Sequence, residues 1–224
     1  MKQISLSSDF SISQMVHGQM RINDWHLSSD QLLGQMKTIA SMGIDTFDNA
    51  DIYGNYTCEA LVGGALALDP SFRNTIKIIT KCGICIQSDK FPQRQIQFYD
   101  YSYDYIVGQV ENSLRNLRTD RIDLLLLHRP SYLLNPAEVA SAFDKLHADG
   151  KVLHFGVSNF YAHDFSMLQS YCNVPIITNQ IEVSPYCLEH LENGNLSYLQ
   201  EKRIRPMAYS PLAWGKLVHP DCER

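Results

Sequence analysis

Strand-like and helix-like runs alternate along this chain with a regularity that few folds accommodate. A strand-like run over residues 14–21 leads into the helical pattern SSDQLLGQMKTIASMG. There Leu32, Leu33, Met36, Ile39 and Met42 recur at helical spacing behind a Ser29 or Asp30 cap, and Gly43 closes the helix. Then follow strand DTFDNA, helix CEALVGGALAL, strand TIKIITK, helix SYDYIVGQVENSLRNL, strand RIDLLLLH, helix NPAEVASAFDKLHADG, strand HFGVS, helix HDFSMLQSY, strand PIITNQIE, helix ENGNLSYLQEKR and strand RPMAYSPL. Seven strands are thus separated by six helices.

Short runs rich in Ile, Leu and Val, apolar on both faces, belong to parallel strands covered on either side. The α/β class that fits best is a (β/α)8 TIM barrel. The 224 residues, 45% of them apolar, suffice for one large core. No linker or low-complexity tract divides them, so a single domain over 1–224 is expected. Only VHPDCER follows Leu217 after the seventh strand, so a C-terminally truncated barrel with seven strands readable is expected. Its open edge would expose unpaired backbone groups and promote self-association.

Charge and cysteine usage narrow the function. A net charge of −5 with scattered Lys and Arg leaves no footprint for a phosphate backbone, so nucleic acid is not an expected partner. The segment MKQISLSSDFSISQ lacks the apolar core of a signal peptide, and the longest apolar stretch, near residues 61–68, falls short of the ~18 residues of a membrane span. No membrane association is expected, and the cytoplasm is the expected location. Cys82 and Cys85 form a CxxC, but it directly follows a strand rather than opening a helix. The six cysteines therefore read as packing thiols rather than redox or zinc ligands.

Four residues fall at the ends of successive strand-like runs: Asp48 and Tyr53 in FDNADIYG, Lys81 in IKIITKCG and His128 in IDLLLLHRP. Barrel enzymes gather their chemistry from such strand ends. Hydride reaches a carbonyl carbon readily only if the growing oxyanion is protonated or hydrogen-bonded at the same moment. Tyr53 would be the acid, its pKa lowered by the Lys81 ammonium, with Asp48 keeping that ammonium charged. His128 would supply a second hydrogen bond that orients the carbonyl oxygen, its protonation state being left open by the sequence.

These segments carry a resemblance to the aldo-keto reductase family. GIDTFDNADIYGNYTCEALVG, with Glu59 and Gly63, resembles its N-terminal signature. ITKCG and LLLLHRP resemble its lysine and histidine strands, GKVLHFGVSNF its fifth strand, and TNQIEVSP and YSPLAWGKL its sixth and seventh. Within the family the segments look closest to a bacterial oxidoreductase subgroup. The resemblance implies metal-free, NADPH-dependent reduction of small aldehydes and ketones, with NADH the alternative cofactor. It assigns Tyr53 as general acid, Lys81 and Asp48 as its partners and His128 as the substrate-orienting residue. It also implies that Ser158, Asn159 and Gln180 hold the nicotinamide carboxamide, a group their hydroxyl and amides match. Tyr209 would stack on the nicotinamide ring, and Ser210, Leu212 and Gly215 would form the pyrophosphate-side loop. Met20 stands where many members carry an aromatic, and Trp25 is the nearby candidate for a pocket wall. Family contacts to the adenosine 2′-phosphate lie in the eighth βα unit, so weak and poorly selective cofactor binding is expected. The alternative is a truncated, non-catalytic binding or interaction protein of the same family.

Overall fold

The computed structural model describes residues 1–218; residues 219–224, the end of the expected domain, lie outside the described residues. In chain order the elements begin with β1 (Gln3–Ser5), β2 (Ser11–Ser13), β3 (His17–Gly18), α1 (Ser29–Ser41), β4 (Thr46–Asp48), α2 (Tyr53–Tyr56), α3 (Cys58–Leu66) and α4 (Pro70–Arg73). There follow β5 (Lys77–Cys82), β6 (Ile84–Cys85), β7 (Phe98–Tyr99), α5 (Tyr103–Leu117), β8 (Ile122–Leu127), α6 (Pro136–Ala148) and β9 (Val152–Ser158). The last are α7 (Ala162–Tyr171), β10 (Ile176–Glu182), α8 (Glu189–Glu192), α9 (Asn195–Glu201) and β11 (Met207–Tyr209). One seven-stranded sheet runs β3-β4-β5-β8-β9-β10-β11, with every neighbouring pair parallel. This is the (β/α)8 architecture with seven of its strands present among the described residues.

Strand periodicity of two decides what faces the interior. Phe47 of β4 and Ile78 of β5 point outward into the cluster beneath the helices, whereas Ile79 of β5 and Leu124 and Leu126 of β8 point inward. Leu125 and Leu127 turn outward again, and Thr80 reaches out to Glu59 of α3. The same alternation sends Asp48, Lys81 and, one residue past β8, His128 to the inner face at the C-terminal ends of their strands. The opposite end is filled by Phe10 and Ile12, which join Ile79, Leu124, Leu126, Ile177 and Met207.

Those plugging residues belong to an antiparallel β1–β2 hairpin absent from the sequence reading. Because β2 ends at Ser13, the first barrel strand shrinks from the expected residues 14–21 to His17–Gly18. A second small hairpin, β6–β7, follows the lysine strand. Helix α1 is capped by Ser28, not Ser29 or Asp30, because Ser28 and Gln31 form a reciprocal capping box. Gly43 follows its end at φ 86°. The expected last helix, ENGNLSYLQEKR, shortens to α9, because Gly194 caps its start at φ 83°, a value no helix interior adopts, and the separate short α8 ends at Glu192. Gly63 is demanded by packing: a Cβ there would lie 1.9 Å from the Asn116 carbonyl oxygen of α5.

A buried ion pair anchors the underside. Arg73 donates to Asp123 Oδ2 at 2.7 Å and to the carbonyls of Ile76 and Arg121, and the same Asp123 oxygen accepts from the Ile78 amide at 2.8 Å. The fork satisfies most of its donors in the dry layer between α4, β5 and β8, as buried guanidinium groups require.

Candidate active site

At the C-terminal ends of the strands lies a cleft of about 930 Å³. It is lined by Asp48, Tyr53, His128, Ser158, Asn159, Gln180, Tyr209, Ser210, Leu212 and Gly215, ten of the residues singled out in the sequence. The eleventh, Lys81, lies beneath the floor at 1% exposure. Met20 and Trp25 form part of the same wall, Trp25 from a 3-10 turn at Ile22–Trp25.

Lys81 Nζ is clamped by four acceptors: Asp48 Oδ1 at 2.7 Å and Oδ2 at 2.8 Å, the Asn49 carbonyl at 2.9 Å and the Tyr53 hydroxyl at 3.2 Å. Burial pushes the ammonium pKa down, but Asp48 and Tyr53 outweigh it, and Lys81 ends above the ordinary lysine value. It therefore carries full charge at neutral pH. Gln180 Nε2 donates to Asp48 Oδ2 at 3.3 Å and fixes the carboxylate from the far wall.

Tyr53 corrects one expectation. Burial raises its pKa more than the Lys81 ammonium lowers it, so the net shift is upward, not downward. The sequence shows which charges sit nearby but not how dry the phenol is. A phenol raised in this way keeps its proton at neutral pH, and the ammonium 3.2 Å away favours the phenolate once that proton leaves. His128 faces Tyr53 edge-on, with ring centroids 6.0 Å apart. Burial, then the charges of Lys81 and Arg129, drive its pKa well below the ordinary histidine value, so the imidazole is neutral. Its Nδ1 is buried without a hydrogen-bond partner among the described residues.

The opposite wall is a chained polar network. Ser158 Oγ donates to the Gln180 carbonyl at 3.0 Å, Asn159 Nδ2 donates to Ser158 Oγ at 2.9 Å, and the Tyr209 hydroxyl donates to Asn159 Oδ1 at 2.9 Å. Asn159 holds φ 61°, a left-handed conformation that Asn tolerates better than most residues. Sequence reasoning missed Glu182, Trp214 and Arg129. Glu182 shares the strand parity of Gln180, which was the available signal. Trp214 Nε1 donates to Glu182 Oε1 at 2.9 Å, and Arg129 lines the cleft beside His128.

Behind the lysine strand sit two further buried carboxyls. The Asp51 amide donates to the Lys81 carbonyl at 3.0 Å, and Asp51 Oδ2 accepts from Gln109 at 2.9 Å. Burial, with Gln109 opposing and Glu59 adding, pushes Asp51 up to about 8. The folded chain thus keeps a proton that the unfolded chain releases near the ordinary 3.8. The stabilisation from this group is complete below the lower value and is lost as pH rises toward the upper one, by at most about 1.4 kcal/mol per pH unit. Asp51→Asn is expected to flatten the fall in denaturant midpoint between about pH 5 and pH 8. An unchanged slope in the variant would show that Asp51 is ionised in the folded chain.

Cys82 and Cys85 are both buried, and burial raises their thiol pKa, Cys82's well above the ordinary value. Burial of this kind disfavours the reactive thiolate.

With this geometry in place, comparison with known proteins settles the class. The aldo/keto reductase family model matches residues 14–221, and the chain belongs to that family. It is 50% identical over 224 residues to the oxidoreductase YcsN of Bacillus subtilis, a match covering all of this chain and 75% of the relative. It is 44% identical over 218 residues to a 6-dehydroglucose reductase of Agrobacterium fabrum, covering 97% of this chain and 73% of that one. Among solved structures, the glycerol dehydrogenase AKR11B4 from Gluconobacter oxydans superposes with a TM-score of 0.84 at 28% identity, covering 99% of this chain and 68% of that chain.

Proposed function

We propose that the chain reduces aldehyde and ketone carbonyls with NADPH, using Tyr53 as proton donor. One observation carries the reading: the Tyr53 hydroxyl stands 3.2 Å from the Lys81 ammonium that Asp48 holds in place, edge-on to His128, in a large cleft. Ser158, Asn159, Gln180 and Tyr209 would hold a nicotinamide, and that group would supply the hydride. The donor set suits such a cofactor, because Ser158, Asn159 and Gln180 offer hydroxyl, amide and carbonyl groups on one buried wall. Gln180 spends its Nε2 on Asp48, which leaves Oε1 to accept from a carboxamide.

The protein's own groups carry the other half of the reaction. His128 gives a hydrogen bond to the carbonyl oxygen from its neutral ring and orients it toward Tyr53. The phenol then yields its proton as negative charge builds on that oxygen, and Lys81 stabilises the phenolate left behind. The complete relay argues against a purely non-catalytic binding role.

The substrate class best supported is a hydroxylated carbonyl compound. Arg21, Asn23, Asp24, Asn55 and Gln97 line the mouth of the cleft with groups that pair with hydroxyls, and the Agrobacterium relative is a 6-dehydroglucose reductase. The test is NADPH oxidation with an aldehyde sugar and with a nitrobenzaldehyde, repeated with NADH. Turnover is expected to survive EDTA and thiol reductant, since the relay needs neither metal nor disulfide. Loss of turnover in EDTA, restored by added metal, would overturn the metal-free mechanism.

A further inference from the structure

We propose that Glu182 is a positioning residue: by anchoring Trp214 it holds the 210–215 loop on the cofactor side of the cleft. The inference rests on the nicotinamide reading above. Ser210, Ala213 and Trp214 adopt φ of 51°, 50° and 58°, conformations that residues with a Cβ rarely take, and Gly215 follows at 95°. A loop of this kind needs outside restraint to stay in place. Its backbone hydrogen bonds are local: Ala213 donates to Ser210 at 2.8 Å and Gly215 to Leu212 at 3.0 Å. Among the described residues, the one side-chain hydrogen bond tying residues 210–215 back to the barrel runs from Trp214 Nε1 to Glu182 Oε1, at 2.9 Å.

The second oxygen of Glu182 lies 3.5 Å from the Tyr209 hydroxyl, whose single proton goes to the nearer Asn159 Oδ1 at 2.9 Å. One carboxylate at the end of β10 therefore meets both the loop and the aromatic ring before it. Glu182 itself does not line the cleft, whereas Ser210, Leu212, Trp214 and Gly215 do. A negative charge beside a loop meant for an anionic cofactor is electrostatically unfavourable. Its presence is accounted for by the hydrogen bond that it accepts, and this separates anchoring from charge in an experiment.

The chain has two tryptophans, so a Trp25→Phe background leaves Trp214 as the sole indole emitter. In that background, Glu182→Gln and Glu182→Ala are compared by NADPH titration on tryptophan emission, by acrylamide quenching without cofactor, and by steady-state kinetics. Glu182→Gln keeps an acceptor and removes the charge, so it should bind NADPH as tightly as its parent or more tightly. Glu182→Ala should weaken binding by roughly tenfold or more, the scale of a lost charge-assisted hydrogen bond. Its KM for NADPH should rise in step while kcat stays within about twofold, because the anchor acts on binding and not on proton transfer. Trp214 should also become easier to quench in Glu182→Ala before any cofactor is added. Equal tightening in both variants would mean that Glu182 acts through charge alone and would overturn the proposal. So would unchanged binding and quenching in Glu182→Ala. Failure of every form, the parent included, to bind NADPH would sink the cofactor reading and this role with it; tight binding by the parent and an indifferent alanine variant would sink the role alone.

Discussion

Replacing Tyr53 by Phe is expected to lower kcat for carbonyl reduction by about 10²–10⁴-fold, the usual contribution of a positioned general acid. The loss should fall on kcat and leave NADPH affinity nearly untouched, because the phenol meets Lys81 and His128 rather than the Ser158, Asn159 and Gln180 wall. Stability should change little. Lys81 keeps both Asp48 oxygens and the Asn49 carbonyl as acceptors after the hydroxyl is gone. Steady-state rates and a cofactor titration on the same preparation check this, and near-normal turnover in the variant would remove Tyr53 from the mechanism.

Lys81→Met should cost both activity and stability. The ammonium is 1% exposed and Asp48 is 9% exposed, so removing the cation strands a carboxylate in a dry site. Breaking a buried pair from one side costs about 3–5 kcal/mol, whereas replacing both partners by neutral groups costs far less. The double variant Lys81→Met with Asp48→Asn should therefore regain much of the stability lost in the single variant and regain none of the activity. Denaturant melts and turnover measurements on the two variants check the pair. A double variant no more stable than Lys81→Met would show that the ion pair is not what the stability depends on.

The barrel strands and the floor of the site were legible because apolar strand-like runs, and the polar residues that end them, are local features of the sequence. Asp48, Lys81 and His128 each end such a run, and the structure adds that Phe47, Thr80 and Leu127 beside them face outward while they face in. What escaped is set by contacts between distant residues. The β1–β2 hairpin has three-residue strands rich in Ser, and only its packing against Ile79 and Leu124 makes it part of the core. Arg73 and Asp123 are 50 positions apart, and Glu182 and Trp214 are 32 apart; neither pair leaves a periodic trace. The upward shift of the Tyr53 phenol was hidden for the same reason, since burial is a property of the assembled cleft.

The most direct test of carbonyl reduction is a single turnover with NADPH that carries deuterium in the transferable position at the reactive nicotinamide carbon, in the presence of excess aldehyde. If the cofactor and substrate meet over Tyr53 and His128 as proposed, each alcohol formed carries one deuterium on its carbinol carbon, and Tyr53→Phe slows its appearance. A folded chain that binds NADPH yet yields no labelled alcohol from any aldehyde tested would contradict the assignment of this cleft as a carbonyl-reducing site.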